Sequence, residues 1–412
     1  MNASPNQCRS CGSHELKEIL DLGSMPLADG LVKEEDFGKT EPRYPLEVVF
    51  CPSCSLVQIL ETVPPEKLFC EDYPYFSSFS DALLEHSRKN VEAIIADRGL
   101  DSGNLAIELA SNDGYLLQYY QKQGIPVLGI DPADGPARAA QAKGIETLET
   151  FFTLDLARKL AQEGKRADVL HGNNVLAHVA DTNGFVEGIA TILADDGVAV
   201  IEVPYLRDLV DHCEFDTIYH EHLCYFSVTA LSKLFGRHGL HLNRVQRLGI
   251  HGGSLRLFVE KHEAREASVL DLLQEEEDLG MTRLPYYEDF AGRVEGIREE
   301  LRGLLLDLKA SGKTIAAYGA AAKGATLLNY TDIDHEVLDF VVDRNVHKQG
   351  RRMPGVQLQI LPPEQLLEAQ PDYTLILPWN FAEEIQKQQA EYVRRGGRFI
   401  LPIPRPRVLE AN

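Results

Sequence analysis

The sequence predicts an α/β protein in which two doubly wound, mostly parallel sheets follow a small cysteine-bearing module. Two observations concern the sheets: short apolar strands alternate with helices from about 105 to 203, and again from about 313 to 401. Such alternation is typical of parallel sheets with crossover helices. The third observation is a pair of Cys-x-x-Cys motifs near the start. A chain of 412 residues has room for roughly two to four domains.

The cysteine pairs are Cys8 with Cys11 and Cys51 with Cys54, roughly forty residues apart. Two Cys-x-x-Cys turns can aim four thiolates at one point, which is the shell that a tetrahedral zinc ion requires. Such a shell leaves no open position for a substrate, so we expect a structural zinc ion. The alternatives are unconnected reduced thiols and a redox pair, although neither pair has the βαβ surroundings of a redox motif.

Composition narrows the range of partners and compartments. The formal net charge is −22, which argues against sequence-independent binding of nucleic acid, because that needs a basic face. No apolar stretch has the length of a transmembrane helix, and the first residues lack a signal-peptide pattern. The other cysteines are scattered, as in reduced proteins: Cys70, Cys213 and Cys224. We therefore expect a cytoplasmic protein without a membrane or nucleic-acid partner, and leave its oligomeric state open, monomer included.

The first α/β unit follows a helix-like stretch at Asp81–Arg98. Its apolar segments have the length of buried strands and lie at Ala106–Leu109, Pro126–Ile130, Val169–His171 and Val198–Val203. Helical segments separate them, at Gly114–Gln123, Gly135–Lys143 and 183–194.

The second α/β unit begins near Lys313, after a charge-dense helical linker from about Ser268 to Lys309. Its predicted strands are Thr314–Tyr318, Val337–Val342, Tyr373–Leu377 and Arg398–Leu401, and an alanine-rich helix spans Ala320–Asn329. The predicted domains are therefore 1–70, 71–265 and 266–412.

The turn after the first strand of the first unit has the features of a nucleoside site. Ala110 and Asn112 stand where a dinucleotide-binding G-x-G-x-x-G turn has glycine. Asp131 follows the next strand roughly twenty residues later, where an acidic side chain can accept hydrogen bonds from ribose hydroxyls. This pattern favours S-adenosylmethionine as the ligand over NAD, and over a crevice that binds no ligand. The side chain of Phe152 could stack against adenine or could be part of the hydrophobic core. The candidate cofactor-binding residues are Glu108, Ala110, Asn112, Asp113, Gly114, Asp131, Phe152 and Asn173.

The densest set of proton-handling groups runs from 215 to 222 and ends in Tyr219-His220-Glu221-His222. Histidine titrates nearest neutral pH, and a neighbouring glutamate can orient it and raise its basicity. A tyrosine hydroxyl can donate to a developing oxyanion. The alternative is an exposed turn with incidental histidines.

Motifs along nearly the whole chain resemble those of the zinc-containing nucleotide-sugar C-methyltransferases. These S-adenosylmethionine enzymes methylate a carbon of a nucleotide-linked deoxy-keto-sugar, such as a dTDP-sugar. Besides the cysteine pairs, the matching motifs are Tyr73-Pro74-Tyr75, Glu108 to Gly114, Asn173 to His178, Tyr219 to His222, His251-Gly252-Gly253, Tyr318 to Lys323 and Trp379-Asn380. The resemblance implies a central class I (Rossmann-like) methyltransferase sheet and a second Rossmann-like, doubly wound C-terminal domain that binds the nucleotide sugar.

The resemblance also implies roles for particular residues. The active site would be lined by Tyr73, His178, Tyr219, Glu221 and His222, with His222 as the base. We expect Tyr75, Ser77, His251, Gly319 and Lys323 to bind the substrate. The alternative for His251 and the two glycines after it is a simple bend between strands. Two departures from the family pattern are Ala110 in the turn, where glycine is common, and His220, where some members have an acid. The division of labour between His220 and His222 therefore stays open.

The chemistry explains why these parts belong together. A carbon next to a ketone becomes nucleophilic when a base removes its proton and the charge moves to oxygen as an enolate. We therefore expect methyl transfer to a carbon, C-3′ by resemblance, of a dTDP- or GDP-linked 4-keto-deoxysugar. Gly319 to Lys323 lies at a helix N-terminus, which suits the diphosphate, or serves only helix–sheet packing. The rival functions are an NAD-dependent nucleotide-sugar oxidoreductase or epimerase, and a non-catalytic zinc-ribbon scaffold.

Overall fold

The computed structural model describes residues 6–69 and 76–410, in which the strands form three sheets. The strands are β1 (Lys17–Pro26), β2 (Arg43–Phe50), β3 (Val57–Ile59), β4 (Ala106–Leu109), β5 (Val127–Asp131), β6 (Thr147–Glu149), β7 (Ala167–Asn173), β8 (Leu193–Pro204), β9 (Cys224–Tyr225), β10 (His241–Leu248), β11 (Ser254–Glu260), β12 (Ile315–Tyr318), β13 (Val341–Val342), β14 (Ile360–Leu361), β15 (Tyr373–Ile376), β16 (Arg398–Leu401) and β17 (Arg407–Val408).

The α-helices surround these sheets and connect their strands. They are α1 (Pro65–Phe69), α2 (Asp81–Arg98), α3 (Leu117–Lys122), α4 (Asp134–Ala142), α5 (Leu154–Gln162), α6 (Thr182–Ile192), α7 (Leu206–Asp211), α8 (Val228–Arg237), α9 (Ala267–Leu279), α10 (Phe290–Ala310), α11 (Ala322–Tyr330), α12 (Gln365–Ala369), α13 (Ala382–Gln388) and α14 (Ala390–Arg394). Within the described ranges, no helix is both long and apolar enough to cross a membrane.

The central sheet has the order β10-β11-β8-β7-β4-β5-β6. Its strands from β8 to β6 are parallel, as the sequence predicts. β10 and β11 add an antiparallel edge that the sequence analysis does not predict. They are joined by the short connection 249–253 instead of a crossover helix, so the βα alternation on which the prediction depended is missing there. The short strand β6 and helix α5 were likewise not predicted.

The C-terminal sheet has the order β14-β13-β12-β15-β16-β17, and all its pairs except the last are parallel. The α/β fold class with two Rossmann-like sheets is therefore confirmed. The predicted strand at Val337–Val342 is reduced to its last two residues. The predicted helical linker consists of two helices, α9 and α10, because Gly280 (φ 79°) ends the first helix in the left-handed region and a 3₁₀ turn that contains Pro285 follows it.

Several helices begin where a side chain accepts a hydrogen bond from a backbone N–H group of the first turn. The Ser80 hydroxyl accepts a hydrogen bond from Leu83 N at 3.2 Å, and Gly99 ends the same helix in the left-handed region (φ 62°). This helix, α2, has the bounds that the sequence predicts. Asp181 and Ser227 cap α6 and α8 in the same way.

The N-terminal sheet is antiparallel, with the order β1-β2-β3-β9. Its last strand comes from the middle of the chain: Val57 pairs with Tyr225 and Gln58 with Cys224. The cysteine-bearing module is thus continuous with the segment that directly follows His222. The division of the chain at 70 and 265 stays a prediction.

Candidate active site

The four cysteines of the N-terminal module converge as the sequence predicts. The sulfur atoms of Cys8 and Cys54 are 3.4 Å apart, those of Cys11 and Cys51 are 3.6 Å apart, and all four lie within 4.8 Å of one another. Four thiols that face one point, three of them buried, fit a tetrahedral zinc ion without an open position.

A cavity of about 1250 Å³ lies between the carboxyl ends of the central and C-terminal sheets. Ligand pockets are usually about 300–1,000 Å³, so this volume has room for a cofactor and a second molecule. In open α/β sheets the carboxyl ends of the strands are where ligands bind. The cavity therefore joins the ligand-binding edges of both sheets.

The cofactor end of the cavity is built by the turn after β4. Ala110 (φ 55°) and Asn112 (φ 49°) are both left-handed, which bends the chain sharply enough for Asn112 N to donate to Asp131 Oδ2 at 2.8 Å. Ala133 N donates to Asp131 Oδ1, also at 2.8 Å. Burial raises the pKa of Asp131 to about 6. Each carboxylate oxygen keeps a lone pair for a ligand hydroxyl.

Five of the predicted cofactor-binding residues line the cavity: Ala110, Asn112, Asp131, Phe152 and Asn173. The Oδ1 atom of Asn173 is buried without a hydrogen-bond partner. A polar atom in this position is costly unless a ligand or water satisfies it. The cavity wall therefore fits an adenosyl group, with a carboxylate for the ribose and an amide for a further polar group.

The other three predicted cofactor-binding residues support the turn from behind and do not line the cavity. Glu108 is fully buried, and burial raises its pKa well above the ordinary value. Asp113 accepts an ion-paired hydrogen bond from Lys143 Nζ at 3.2 Å. A Cβ atom on Gly114 (φ 76°) would lie 2.3 Å from Ile145 Cδ1. Their sequence pattern reflects the needs of the turn, and their direct contact with the cofactor stays a prediction.

His222 is held in one tautomer by two hydrogen bonds. Its Nδ1 lies 2.8 Å from Thr217 O, and its Nε2 lies 3.1 Å from the Tyr219 hydroxyl. A carbonyl oxygen only accepts, so Nδ1 carries the proton and Nε2 accepts from Tyr219. Burial lowers the pKa of His222 to about 4. At neutral pH the ring is therefore neutral, with a lone pair at Nε2.

His178 lies against His222 in the same cavity wall. The two ring centroids are 4.8 Å apart at an interplanar angle of 82°. Burial, with a smaller contribution from His222, lowers the pKa of His178 well below its ordinary value. The pair therefore presents two neutral imidazoles to the cavity at neutral pH.

Glu221 lines the cavity. The sequence predicts that it orients His222, but the structure shows no hydrogen bond between these two described side chains. Glu221 Oε1 accepts from Asp29 N at 3.4 Å, and the carbonyl of Thr217 holds the histidine instead. Burial raises the pKa of Glu221 above its ordinary value, and nearby Asp29 raises it further. Glu221 is therefore a carboxyl group that holds its proton more tightly than usual beside the reactive centre.

His220 does not line the cavity. Its Nε2 donates to Pro45 O at 3.1 Å, and its ring packs edge-on against Tyr44 at 5.7 Å. Both contacts are to strand β2 of the N-terminal sheet. Of the two histidines whose roles the sequence left open, only His222 faces the cavity.

The C-terminal side of the cavity includes Gly319 and Lys323. Lys323 Nζ donates to Asn380 Oδ1 at 2.8 Å and lies 4.5 Å from the centre of the Trp379 ring. Trp379 Nε1 in turn donates to Asp216 Oδ2 at 2.7 Å. Burial lowers the pKa of Lys323. The segment that leads to His222 is thereby tied to the C-terminal domain.

Three further residues on this side line the cavity, and the sequence did not predict them as site residues: Asp343, Arg344 and Lys348. Ala320 N and Asn345 N each donate to Asp343, at 2.7 Å, which repeats the arrangement at Asp131. The Lys348 ammonium donates to Ala320 O at 2.8 Å. Asp343 follows the second strand of its unit, so alignment of the two predicted units on each other would have found it.

Of the remaining predicted active-site and substrate residues, one side chain lies within the described part of the structure. Tyr73 and Tyr75 lie outside the described residues, and so does the side chain of His251, whose backbone is in a 3₁₀ turn at Ile250–Gly252. Ser77 lines the cavity, and its backbone N donates to Asn112 Oδ1 at 2.8 Å. Ser77 therefore lies beside the cofactor turn.

A Rossmann-like sheet with a ribose-type carboxylate, joined to a second cavity-lining sheet and a module with four converging cysteines, is the arrangement expected of an S-adenosylmethionine-dependent methyltransferase. Family models match residues 8–69 ("Putative zinc binding domain"), 83–245 ("Methyltransferase domain") and 249–404 ("C-methyltransferase C-terminal domain"). C-methyltransferase NovU of Streptomyces niveus is 38% identical over 411 residues, which cover 99% of this chain and 97% of NovU. The chain belongs to this C-methyltransferase family, and it is an S-adenosylmethionine-dependent enzyme with a structural zinc site.

Two further similarities each cover less than half of the chain. A ubiquinone biosynthesis O-methyltransferase of Azorhizobium caulinodans is 25% identical over 122 residues, or 29% of this chain and 47% of that protein. The solved structure of magnesium protoporphyrin IX methyltransferase from Synechocystis with bound S-adenosylmethionine is 17% identical over 44% of this chain and 82% of its own, with a TM-score of 0.34.

Proposed function

We propose that the enzyme transfers a methyl group from S-adenosylmethionine to C-3′ of a nucleotide-linked 4-keto-deoxysugar, with His222 as the base. The observation that carries the proposal is the neutral, Nδ1-protonated His222 ring in a cavity shared by two Rossmann-like sheets. The family motifs in the sequence support the sugar substrate. The cavity volume supports simultaneous binding of cofactor and substrate.

The residues of the chain suggest the order of proton movements. When bound, S-adenosylmethionine supplies an electrophilic methyl group. His222 Nε2 takes the proton from C-3′, and the electron pair of that C–H bond forms the enolate with its charge on the C-4′ oxygen. C-3′ would then bond to the methyl carbon as the methyl–sulfur bond breaks, and the electron pair of the broken bond would leave with S-adenosylhomocysteine. Tyr219 must release Nε2 for the proton transfer, which frees its hydroxyl to donate to the enolate oxygen. Thr217 O stabilises the imidazolium through Nδ1.

Positioning should contribute more to this reaction than any single side chain. A general base typically raises the rate by about 10²–10⁴-fold, whereas alignment of the reacting atoms can lower the activation barrier by roughly 7–11 kcal/mol. The low pKa of His222 makes it a modest base in the free enzyme. We therefore expect it to act on a carbon that the cavity holds directly against Nε2.

The phosphates of the substrate would lie on the C-terminal side. Lys323, Arg344 and Lys348 supply three cationic side chains there, and the N-terminus of α11 adds backbone N–H groups. The Asp343 carboxylate, held like Asp131, would accept a hydroxyl of the nucleoside sugar. This arrangement supports a nucleoside diphosphate carrier, and both dTDP and GDP remain candidates.

The test is mass spectrometry and carbon NMR of products from a panel of dTDP- and GDP-linked keto-deoxysugars, each incubated with the enzyme and ¹³C-methyl S-adenosylmethionine. We expect one member of the panel to gain a single labelled methyl group on C-3′, which is one of the two carbons next to the C-4′ ketone, and none on C-5′. Label on oxygen or nitrogen, or labelling that is indifferent to the keto group, would refute the proposal.

A further inference from the structure

Arg9 lies inside the first zinc knuckle, between Cys8 and Cys11, and only 6% of it is exposed. Its Nη2 donates to Thr62 Oγ1 at 2.7 Å and to Glu61 O at 3.1 Å. The same nitrogen lies 3.3 Å from Ile59 O. This side chain of the first knuckle is therefore bonded to the segment 59–62, about fifty residues away in the sequence.

The segment bonded by Arg9 leads directly to the reactive centre by two routes. Ile59 N donates to Leu223 O at 3.0 Å, and Leu223 immediately follows His222. Thr62 and Phe69, which lie on the same stretch of chain, both line the cavity. The ring centroid of Phe69 is 5.5 Å from that of His178. Displacement of 59–62 would therefore displace both histidines of the cavity wall.

The other side of the knuckle is fixed to the central domain. Asn183 Nδ2, on α6, donates to Arg9 O at 2.8 Å and to Ser10 O at 3.0 Å. Arg237, on α8, donates to the Ser10 hydroxyl. The knuckle is thus anchored to the scaffold of the methyl-donor domain on one face, and it bonds the cavity wall through Arg9 on the other.

We propose that Arg9 is a positioning residue for methyl transfer, through which the zinc knuckle sets the place of segment 59–62 and thereby of His178 and His222. The planar guanidinium of an arginine loses little conformational freedom for each hydrogen bond that it forms. Replacement of a buried arginine leaves its acceptors without a hydrogen-bond donor, which costs free energy. A misplacement of about 1 Å can cost roughly 10²-fold in rate. The zinc module is then part of the catalytic geometry as well as of the fold. The inference depends on the C-methyltransferase activity and not on which sugar is methylated.

The test compares Arg9→Gln with Arg237→Gln, since both arginines contact the same knuckle but only Arg9 reaches the cavity wall. We expect Arg9→Gln to keep one zinc ion per chain and the wild-type affinity for S-adenosylmethionine, measured by metal analysis and calorimetry. Its kcat should fall by about 10–100-fold, as expected for misplaced reacting groups. Hydrogen–deuterium exchange of 59–69 and 219–223 should increase. Arg237→Gln should leave kcat and the exchange of these two segments unchanged.

A second pair of variants avoids the metal shell altogether. Thr62→Val removes the acceptor of the 2.7 Å bond from Arg9, whereas Thr62→Ser keeps it. We expect kcat to fall in Thr62→Val and to be retained in Thr62→Ser. Because Arg9 and Thr62 act as one unit, the double variant Arg9→Gln/Thr62→Val should be no slower than the worse single variant. This pair decides the matter if Arg9→Gln does not retain zinc.

Two results would overturn the inference. One is wild-type kcat in zinc-loaded Arg9→Gln or in Thr62→Val. The other is an equal loss of kcat in Arg237→Gln, which would mean that any weakening of the module slows the enzyme. The hydrogen-exchange measurement needs no substrate. An error in the sugar assignment would therefore appear as an inactive wild type with the predicted exchange pattern intact, and can be told from failure of the inference.

Discussion

The central and C-terminal sheets hold a carboxylate in the same way, but the other charged side chains that they bring to the cavity differ. In each, two backbone N–H groups, one from the turn after the first strand, hold a carboxylate at the end of the next strand: Asp131 in one and Asp343 in the other. Among the described residues, those of the central domain bring no lysine or arginine to the cavity, whereas the C-terminal domain brings Lys323, Arg344 and Lys348. One half thus suits a sulfonium and the other suits phosphates. The fold is repeated, and the side chains at its ligand edge decide what each copy binds.

His222 lies between these two halves, in a segment bonded to both domains, and its loss should have the largest effect. We expect His222→Ala to lower kcat by roughly 10²–10⁴-fold, which is the usual contribution of a general base, with little change in the affinity for S-adenosylmethionine. Steady-state kinetics and calorimetry measure the two quantities. The matched control is His220→Gln, because that side chain bonds Pro45 outside the cavity. Equal loss in both variants would remove the special role of His222.

The two carboxylates allow a reciprocal test of the comparison. We expect Asp131→Asn to weaken S-adenosylmethionine and Asp343→Asn to raise the KM of the nucleotide-linked substrate, each by about 10–100-fold, because a hydrogen bond to a charged group is worth about 1.5–3 kcal/mol. Each variant should leave the other ligand unaffected. If both variants weakened the same ligand, the division of the cavity into two ligand halves would be wrong.

The cations of the C-terminal half should act on the phosphates. We expect Lys348→Met to raise the KM of the nucleotide-linked substrate by about tenfold through loss of one charge-assisted contact, and to reduce the salt dependence of that KM. The control is Lys313→Met, at the opposite edge of the same sheet, where the lysine pairs with Asp372 at 3.0 Å. An unchanged KM in Lys348→Met would place the phosphates elsewhere.

The smallest effect expected is a pH dependence confined to the cofactor half. Burial raises the pKa of Asp131 to about 6, so this carboxyl becomes protonated as the pH falls from 7 to 5 and then loses its charge and acceptor capacity. The Kd of S-adenosylmethionine should rise by about tenfold over that interval. Calorimetry at several pH values measures it. The dependence should be absent in Asp131→Asn, and its persistence there would assign it to another group.

The sequence could predict what depends on local pattern. The convergence of the four cysteines, the carboxyl ends of strands such as β4 and β12, and the bounds of the helix α2 follow from spacing and periodicity. Which of His220 and His222 faces the cavity could not be predicted, because it depends on Pro45, 175 residues away. The strands β10 and β11 were missed because their hairpin breaks the βα alternation. The low pKa of His222 and the contacts of Arg9 depend on burial, which only the packed structure defines.

Deprotonation of a carbon acid between the two halves should come before any methyl group moves. This order is tested most directly by NMR of the nucleotide-linked keto-sugar in deuterium oxide, with the enzyme present and S-adenosylmethionine withheld. We expect the wild type to exchange the hydrogen at C-3′, beside the ketone, and His222→Ala to show no exchange above background. Exchange at the wild-type rate in His222→Ala, or no exchange by the active wild type, would contradict it.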